Sequence, residues 1–168
     1  VQNAKDTFYV MLQSRLAALN PSRTIVVRGV VRPGTLVVEN ELPTGSIPVD
    51  VFRMEWTGLR VDSAASLPLV AMECSIGYCT DGTSGDGGMD RGRLLAGMDA
   101  ELASALGAEP HTAQKMNYSA AGAGVAPIAM GTDVFWADPV FGAVTSVDGR
   151  LARTSTVQVF AYQEVGEL

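Results

Sequence analysis

The chain holds one histidine (His111), two lysines (Lys5 and Lys115) and two cysteines (Cys74 and Cys79) among 168 residues. Each scarcity removes a class of function. A Ser-His-Asp or Cys-His site would have to use His111, which follows Pro110 with no nucleophile elbow around it, so an exposed loop histidine is expected there. With no lysine between residues 6 and 114, no Gly-x-x-x-x-Gly-Lys-Ser/Thr phosphate loop exists. Two thiols without nearby histidines make a poor zinc site. A five-residue separation on one strand puts the cysteines on opposite faces, ~17 Å apart at ~3.3 Å per residue, beyond disulfide reach. Both are expected to be reduced structural cysteines in a protein made inside a cell. Basic runs are also missing, and the net charge of −6 argues against nonspecific nucleic-acid binding, which needs Lys and Arg to displace phosphate counterions. No apolar run has membrane length and no secretory pattern is present; a start at Val1 fits loss of an initiator methionine.

What is present is apolar and turn-rich. Hydrophobic residues make up 47% against 18% charged, with 18 glycines and 8 prolines, which fits one globular domain over residues 1–168. Asn3 to Leu19 has the period of an amphipathic helix, with Phe8, Met11, Leu12, Leu16 and Leu19 on one stripe, Asn3 or Asp6 as cap and Asn20-Pro21 as stop. Two β-branched runs, Thr24–Val31 and Thr35–Asn40, flank Arg32-Pro33-Gly34, whose Pro-Gly pair predicts a type II turn and a hairpin. Leu42 to Pro48 reads as loop and Val49–Trp56 as strand. In the longer strand Leu67–Thr80, Met72, Cys74, Ile76 and Tyr78 share one face and Glu73, Ser75 and Gly77 the other. Leu94, Leu95, Met98, Leu102, Ala105 and Leu106 define a second helix, capped by Asp90 and stopped by Gly107. Ser119–Gly124 has little side-chain volume and reads as a mobile loop; Asp133–Ala137 and Thr154–Glu164 read as strands. The order predicts an α+β fold, with helices packed on one face of a mainly antiparallel sheet in two layers.

The chemistry concentrates between the long strand and the second helix. Cys79 to Leu95 contains five glycines and three aspartates. Asp81, Asp86 and Asp90 offer hard oxygens, but their spacing matches neither an EF-hand nor a Gly-Gly-x-Gly-x-Asp repeat, so no metal and no cofactor are expected. No local motif points to a catalytic residue, and the chain is not expected to be an enzyme. Arg91 and Arg93 stand at a helix start, where the helix dipole disfavours cations; an acidic neighbour in an adjacent subunit would compensate them, as would local partners or water. Phe135, Trp136 and Phe141 flank Asp138-Pro139 as core or as interface anchors.

An N-terminal helix, a hairpin, a long strand, a glycine-rich loop, the helix Met89–Asp99, a Phe-Trp strand and a terminal strand ending Phe160–Glu164 follow one another in an order that resembles the tail terminator proteins of long-tailed bacteriophages, also called tail completion or tail-tube joining proteins. The resemblance implies a non-enzymatic virion structural protein, made in the cytoplasm of a bacterial host and placed in the tail or neck region. Such proteins assemble as a homo-hexameric ring, cap the tail tube and offer a surface for neck or connector attachment, while the genome passes through without specific binding. The glycine loop would be an inter-subunit or tube-facing segment, with Asp81, Asp86, Asp90, Arg91, Arg93 and Trp136 as the interface residues. An acidic surface suits a DNA conduit, because like charge keeps the genome from adhering. The alternatives are another neck or tail-tube component, or a small metal-dependent hydrolase using the acidic loop.

Overall fold

The computed structural model describes residues 1–39, 48–64, 66–119, 125–165 and 167. Along the chain come α1 (Gln2–Leu19), β1 (Thr24–Val27), β2 (Val30–Pro33), β3 (Thr35–Val37), β4 (Phe52–Asp62), β5 (Leu69–Thr80), a 3-10 turn (Ser84–Asp86), α2 (Arg91–Gly107), β6 (Thr112–Asn117), β7 (Ile128–Trp136), β8 (Val140–Phe141), β9 (Thr145–Val147) and β10 (Arg150–Tyr162). The fold mixes α and β, with strand in the larger share. The expected loop from Leu42 lies, Pro48 apart, outside the described residues, as do residues 120–124 of the expected Ala/Gly loop.

The stripe of α1 is narrower than its period predicts. Ala4, Phe8, Leu12 and Leu16, each four apart, are buried, whereas Leu19 is half exposed. Neither expected cap acts as one. Val1 holds the N-cap position without a side-chain bond; Asn3 donates to Glu167 and Asp6 accepts from Gln2, both inside the helix. Asn20 does end the helix, with its N–H on the Leu16 carbonyl at 2.9 Å.

The hairpin turns earlier than Pro33-Gly34. Thr24–Val31 is not one strand: it folds at Arg28-Gly29, where φ is 50° and 79°, so that Val27 faces Val30 and Val26 faces Val31. Two successive positive φ values are what a tight two-residue hairpin with the right strand twist requires. Gly34 instead lies against the chain entering the hairpin. A Cβ there would sit 2.9 Å from Arg23 Cγ, and its N–H donates to the Arg23 carbonyl at 2.9 Å.

The main sheet runs β3-β4-β5-β10-β7-β6, with β8 and β9 also on β10; β3–β4 is parallel and every other pairing antiparallel. β10 is central and pairs with β5 from Leu151 to Tyr162. The β5 alternation holds: Val70, Met72, Cys74, Ile76 and Tyr78 are fully buried and meet Val157, Val159 and Ala161 of β10 in one core with both helices. Burial pushes the Cys74 thiol up to about 12, so it stays an inert core thiol. Cys79 lies on the opposite face of the strand and donates to the Pro48 carbonyl.

Several strands exceed expectation. β4 runs on from Trp56 to Asp62 past a bulge between Trp56 and Gly58, β7 starts at Ile128, and β10 starts at Arg150. β6, β8 and β9 were not expected at all. Thr112–Asn117 is largely polar and carries a bulge of its own, which hides the alternation. The sheet curls so that β6 runs beside α1, where Thr7 Oγ1 accepts the Met116 N–H at 2.9 Å.

α2 buries Leu95, Met98, Leu102, Ala105 and Leu106, while Leu94 is exposed. Arg15 of α1 supplies its C-terminal cap, donating to the carbonyls of Ala105 at 2.9 Å and Ala108 at 2.7 Å. Gly97, in mid-helix, has nothing within 4 Å of where a Cβ would stand. Gly97→Ala is therefore expected to stabilise the protein by about 0.8–1 kcal/mol, the helix propensity difference, measured by urea unfolding. No gain would mean that the α2 backbone is not helical at that position in solution.

Candidate assembly surface

The glycine-rich loop is closed on itself. Asp90 occupies the N-cap position of α2 but makes no cap bond. Its carboxylate turns back to accept the Thr83 N–H at 2.8 Å and the Thr83 hydroxyl at 2.5 Å. The Thr83 hydroxyl and then its N–H hold the Asp90 carboxyl below the ordinary range, with Arg93 adding a smaller attraction. Arg91 Nε donates to the Asp81 carbonyl at 2.9 Å, and the Asp81 carboxylate pairs with Arg150 at 2.9 Å. Two glycines permit this closure. Gly82 and Gly88 have φ of 78° and 77°, and a Cβ on Gly88 would stand 2.5 Å from the Arg91 guanidinium carbon.

Of the expected interface set, Asp81, Asp90 and Arg91 are thus engaged within their own chain, while Asp86 and Arg93 are exposed. The carboxylates of Asp81 and Asp90 face Arg150 and Thr83 rather than a common centre, and among the described residues no three His, Cys, Asp or Glu side chains cluster at metal-holding range. Shortening Thr83–Gly88 would remove the partner of Asp90, so it is not the neutral change that a flexible loop predicts. Gly88→Ala should cost about 1–3 kcal/mol, from a left-handed backbone and the displaced Arg91. Gly85→Ala, in open space, should stay within ~0.5 kcal/mol. Equal melting of the two variants would show the loop to be open in solution.

Trp136 lies in the core. It is 4% exposed, its Nε1 donates to the Leu106 carbonyl at 3.0 Å, Phe8 meets its ring edge-on, and the Arg15 guanidinium lies 5.1 Å from the ring centre. Phe141 is half-buried against the same core, and Phe135 packs on Tyr162 of the other sheet face. His111 is not an exposed loop residue: it immediately precedes β6 and stacks on Trp136, with Nδ1 3.9 Å from Asp138.

Two features went unseen in the sequence. Lys115, on β6, is fully buried, and its ammonium donates to the Tyr162 carbonyl at 2.6 Å and to Glu167 at 2.6 Å, with Glu164 at 3.4 Å. Glu164 in turn accepts from the Thr132 hydroxyl and N–H, so Glu164 and Glu167 are clasped against β7 and β6. The second is a pair of exposed aliphatic strips. On β1–β2, Val26 and Val31 are each 65% exposed and Val30 is 63% exposed; on β8–β9, Val140 is 69% and Val147 55% exposed, with Val144 between them. Residues 21–38 hold no acid, and beyond Arg23, which is paired with Glu101 at 2.8 Å, they carry Arg28 and Arg32, whereas the second strip is bracketed by exposed Asp138 and Asp148. Asp148-Gly149, with φ of 51° and 77°, turns β9 into β10; this Asp-Gly pair was the available sequence signal for that hairpin.

Comparison with protein-family models and with curated proteins finds no match. One solved structure is similar over 99% of this chain and 97% of its own at 12% identity and a TM-score of 0.46, and its name states no activity. A likeness at that level decides neither fold family nor function.

Proposed function

We propose that this chain is a non-enzymatic, ring-forming tail terminator of a long-tailed bacteriophage, capping the tail tube and joining it to the neck or head. The observation that carries the proposal is the pair of exposed aliphatic strips, of unlike charge, one on the separate β1–β2 ribbon and one on β8–β9 of the main sheet. Apolar strips at unpaired strand edges mark surfaces that are covered in an assembly. Cationic and acidic strips on separate elements suit repeated head-to-tail association, which closes into a ring when the rotation allows. The net charge of −6 suits a passage for nucleic acid that must not adhere.

The same proposal carries the two-layer α+β arrangement, with both helices on one face of the sheet. Its support is that Phe8 and Leu12 of α1 and Leu102 and Leu106 of α2 share a core with the alternate residues 70 to 78 of β5. A neck or tube component is the nearest alternative, and it stacks into a tube instead of stopping at one ring. Native mass spectrometry and negative-stain microscopy of the purified protein separate them. A single closed ring of about six subunits, with tails restored by adding it to terminator-deficient particles, is the expected result. Open-ended tubes favour the alternative, and a monomer at every concentration overturns the ring.

A further inference from the structure

We infer that the β1–β2 hairpin is the arm by which one copy of this chain grips the next, its valine face packing on the Val140–Val147 strip of the neighbour with Arg28 beside that copy's Asp138. This deepens the ring proposal and rests on it. Among the described residues, β1 and β2 pair only with each other, and a two-stranded ribbon alone is marginally stable in water. Yet this one spends its apolar side chains on solvent: the cross-strand pair Val26–Val31 is exposed on one face, and Val30 is exposed beside Val27 on the other. Such a ribbon gains most from a partner that covers valines and accepts a cation.

The β8–β9 strip has that chemistry. Val140, Val144 and Val147 are exposed, Asp138 stands just before the first of them with a side chain 81% exposed, and β8 and β9 have no strand partner but β10 among the described residues. Arg28 is exposed at the hairpin tip. Donor and acceptor also stand apart in the sheet. The hairpin leads into the edge strand β3, and β4, β5 and β10 separate it from β8 and β9. A surface on one side meeting a different surface on the other is a heterologous contact, which propagates from copy to copy. The charge match fixes the pairing of the two strips and rejects hairpin on hairpin, where Arg28 would face Arg28.

The test compares wild type with the double variant Val26→Thr/Val31→Thr, which keeps shape and strand preference while making the apolar face polar, by native mass spectrometry and light scattering, with melting followed by circular dichroism. Both valines are exposed, so the variant is expected to melt as wild type does while its assembly needs a subunit concentration at least roughly tenfold higher. Arg28→Glu and Asp138→Arg should each weaken assembly, more at low salt, and should restore it when combined. Unchanged assembly in the valine variant would overturn the hairpin contact while leaving the ring intact. Rings that form normally but no longer join tail tubes would assign the hairpin to the tube protein and equally overturn the inference. A wild-type chain that stays monomeric would overturn the contact and the ring together.

Discussion

Leu12→Asp and Leu102→Asp should each abolish the folded state. Both side chains are fully buried, one on α1 and one on α2, in the core that also holds the inward residues of β5 and β10. An aspartate at either place loses ~2–5 kcal/mol of burial and packing, then adds the cost of an unpaired charge in an apolar site, several kcal/mol more. Protonation at the site limits that second cost without removing it. Against a total stability of ~5–15 kcal/mol, the sum decides the outcome. The expected observation is insoluble expression, or a chain without a cooperative thermal transition. A variant that kept the wild-type melting temperature would show its helix to be off the core. Leu94→Asp, on the exposed side of α2, is the control and should fold normally.

The second large effect concerns Lys115. Lys115→Ala takes from the Glu167 carboxylate, itself 4% exposed, its nearest cation, leaving the N-terminal ammonium at 4.0 Å, and takes from the Tyr162 carbonyl the shorter of its two side-chain donors. Breaking a buried pair from one side costs ~3–5 kcal/mol. Here the lower end, about 3 kcal/mol at neutral pH, is expected, because Glu167 follows the last strand, which ends at Tyr162, so the acid can rehydrate without breaking the sheet. Lys115→Met combined with Glu167→Gln should recover most of the loss, since neither charge then stays unpaired. Urea unfolding checks both, and a loss below ~1 kcal/mol for the alanine variant would show that the clasp does not form in solution.

The clasp also sets an acid limit. Burial pushes the Glu167 carboxyl up, but the Glu164 N–H and the Lys115 ammonium outweigh it and hold the group below its ordinary range. The Thr132 hydroxyl, helped by the Gly131 N–H and Lys115, lowers Glu164 as well. A carboxyl whose folded value lies below its unfolded one, ~4.3 for Glu, adds stability that is complete above that value and lost as pH falls through the folded value. Stability contributed by the clasp should therefore be flat down to about pH 5 and decline below ~4.3. The double variant should show a shallower decline in that window, and equal slopes would remove these carboxylates from the acid response.

By itself the sequence determined what depends on neighbours a few residues away. The recurrence of Phe8, Leu12 and Leu16 and the alternation from Met72 to Tyr78 are one-face patterns, legible before any contact was known, although the same helical period also counted Leu19, which is half exposed. Pro33-Gly34 misled because its dihedral preferences fit a type II turn, and nothing local revealed that Gly34 must leave room for Arg23. What only the tertiary structure decided is where chain segments far apart in sequence meet. Lys115 was one of two lysines until β6 carried it against Glu167, 52 residues away. Asp90 was a plain cap until the loop closed and turned its carboxylate back to Thr83. Trp136 stayed open between core and interface until Leu106 and Phe8 surrounded it. Burial, ion pairing and close approach depend on distance in space, and local propensity carries no information about residues that only the fold makes neighbours.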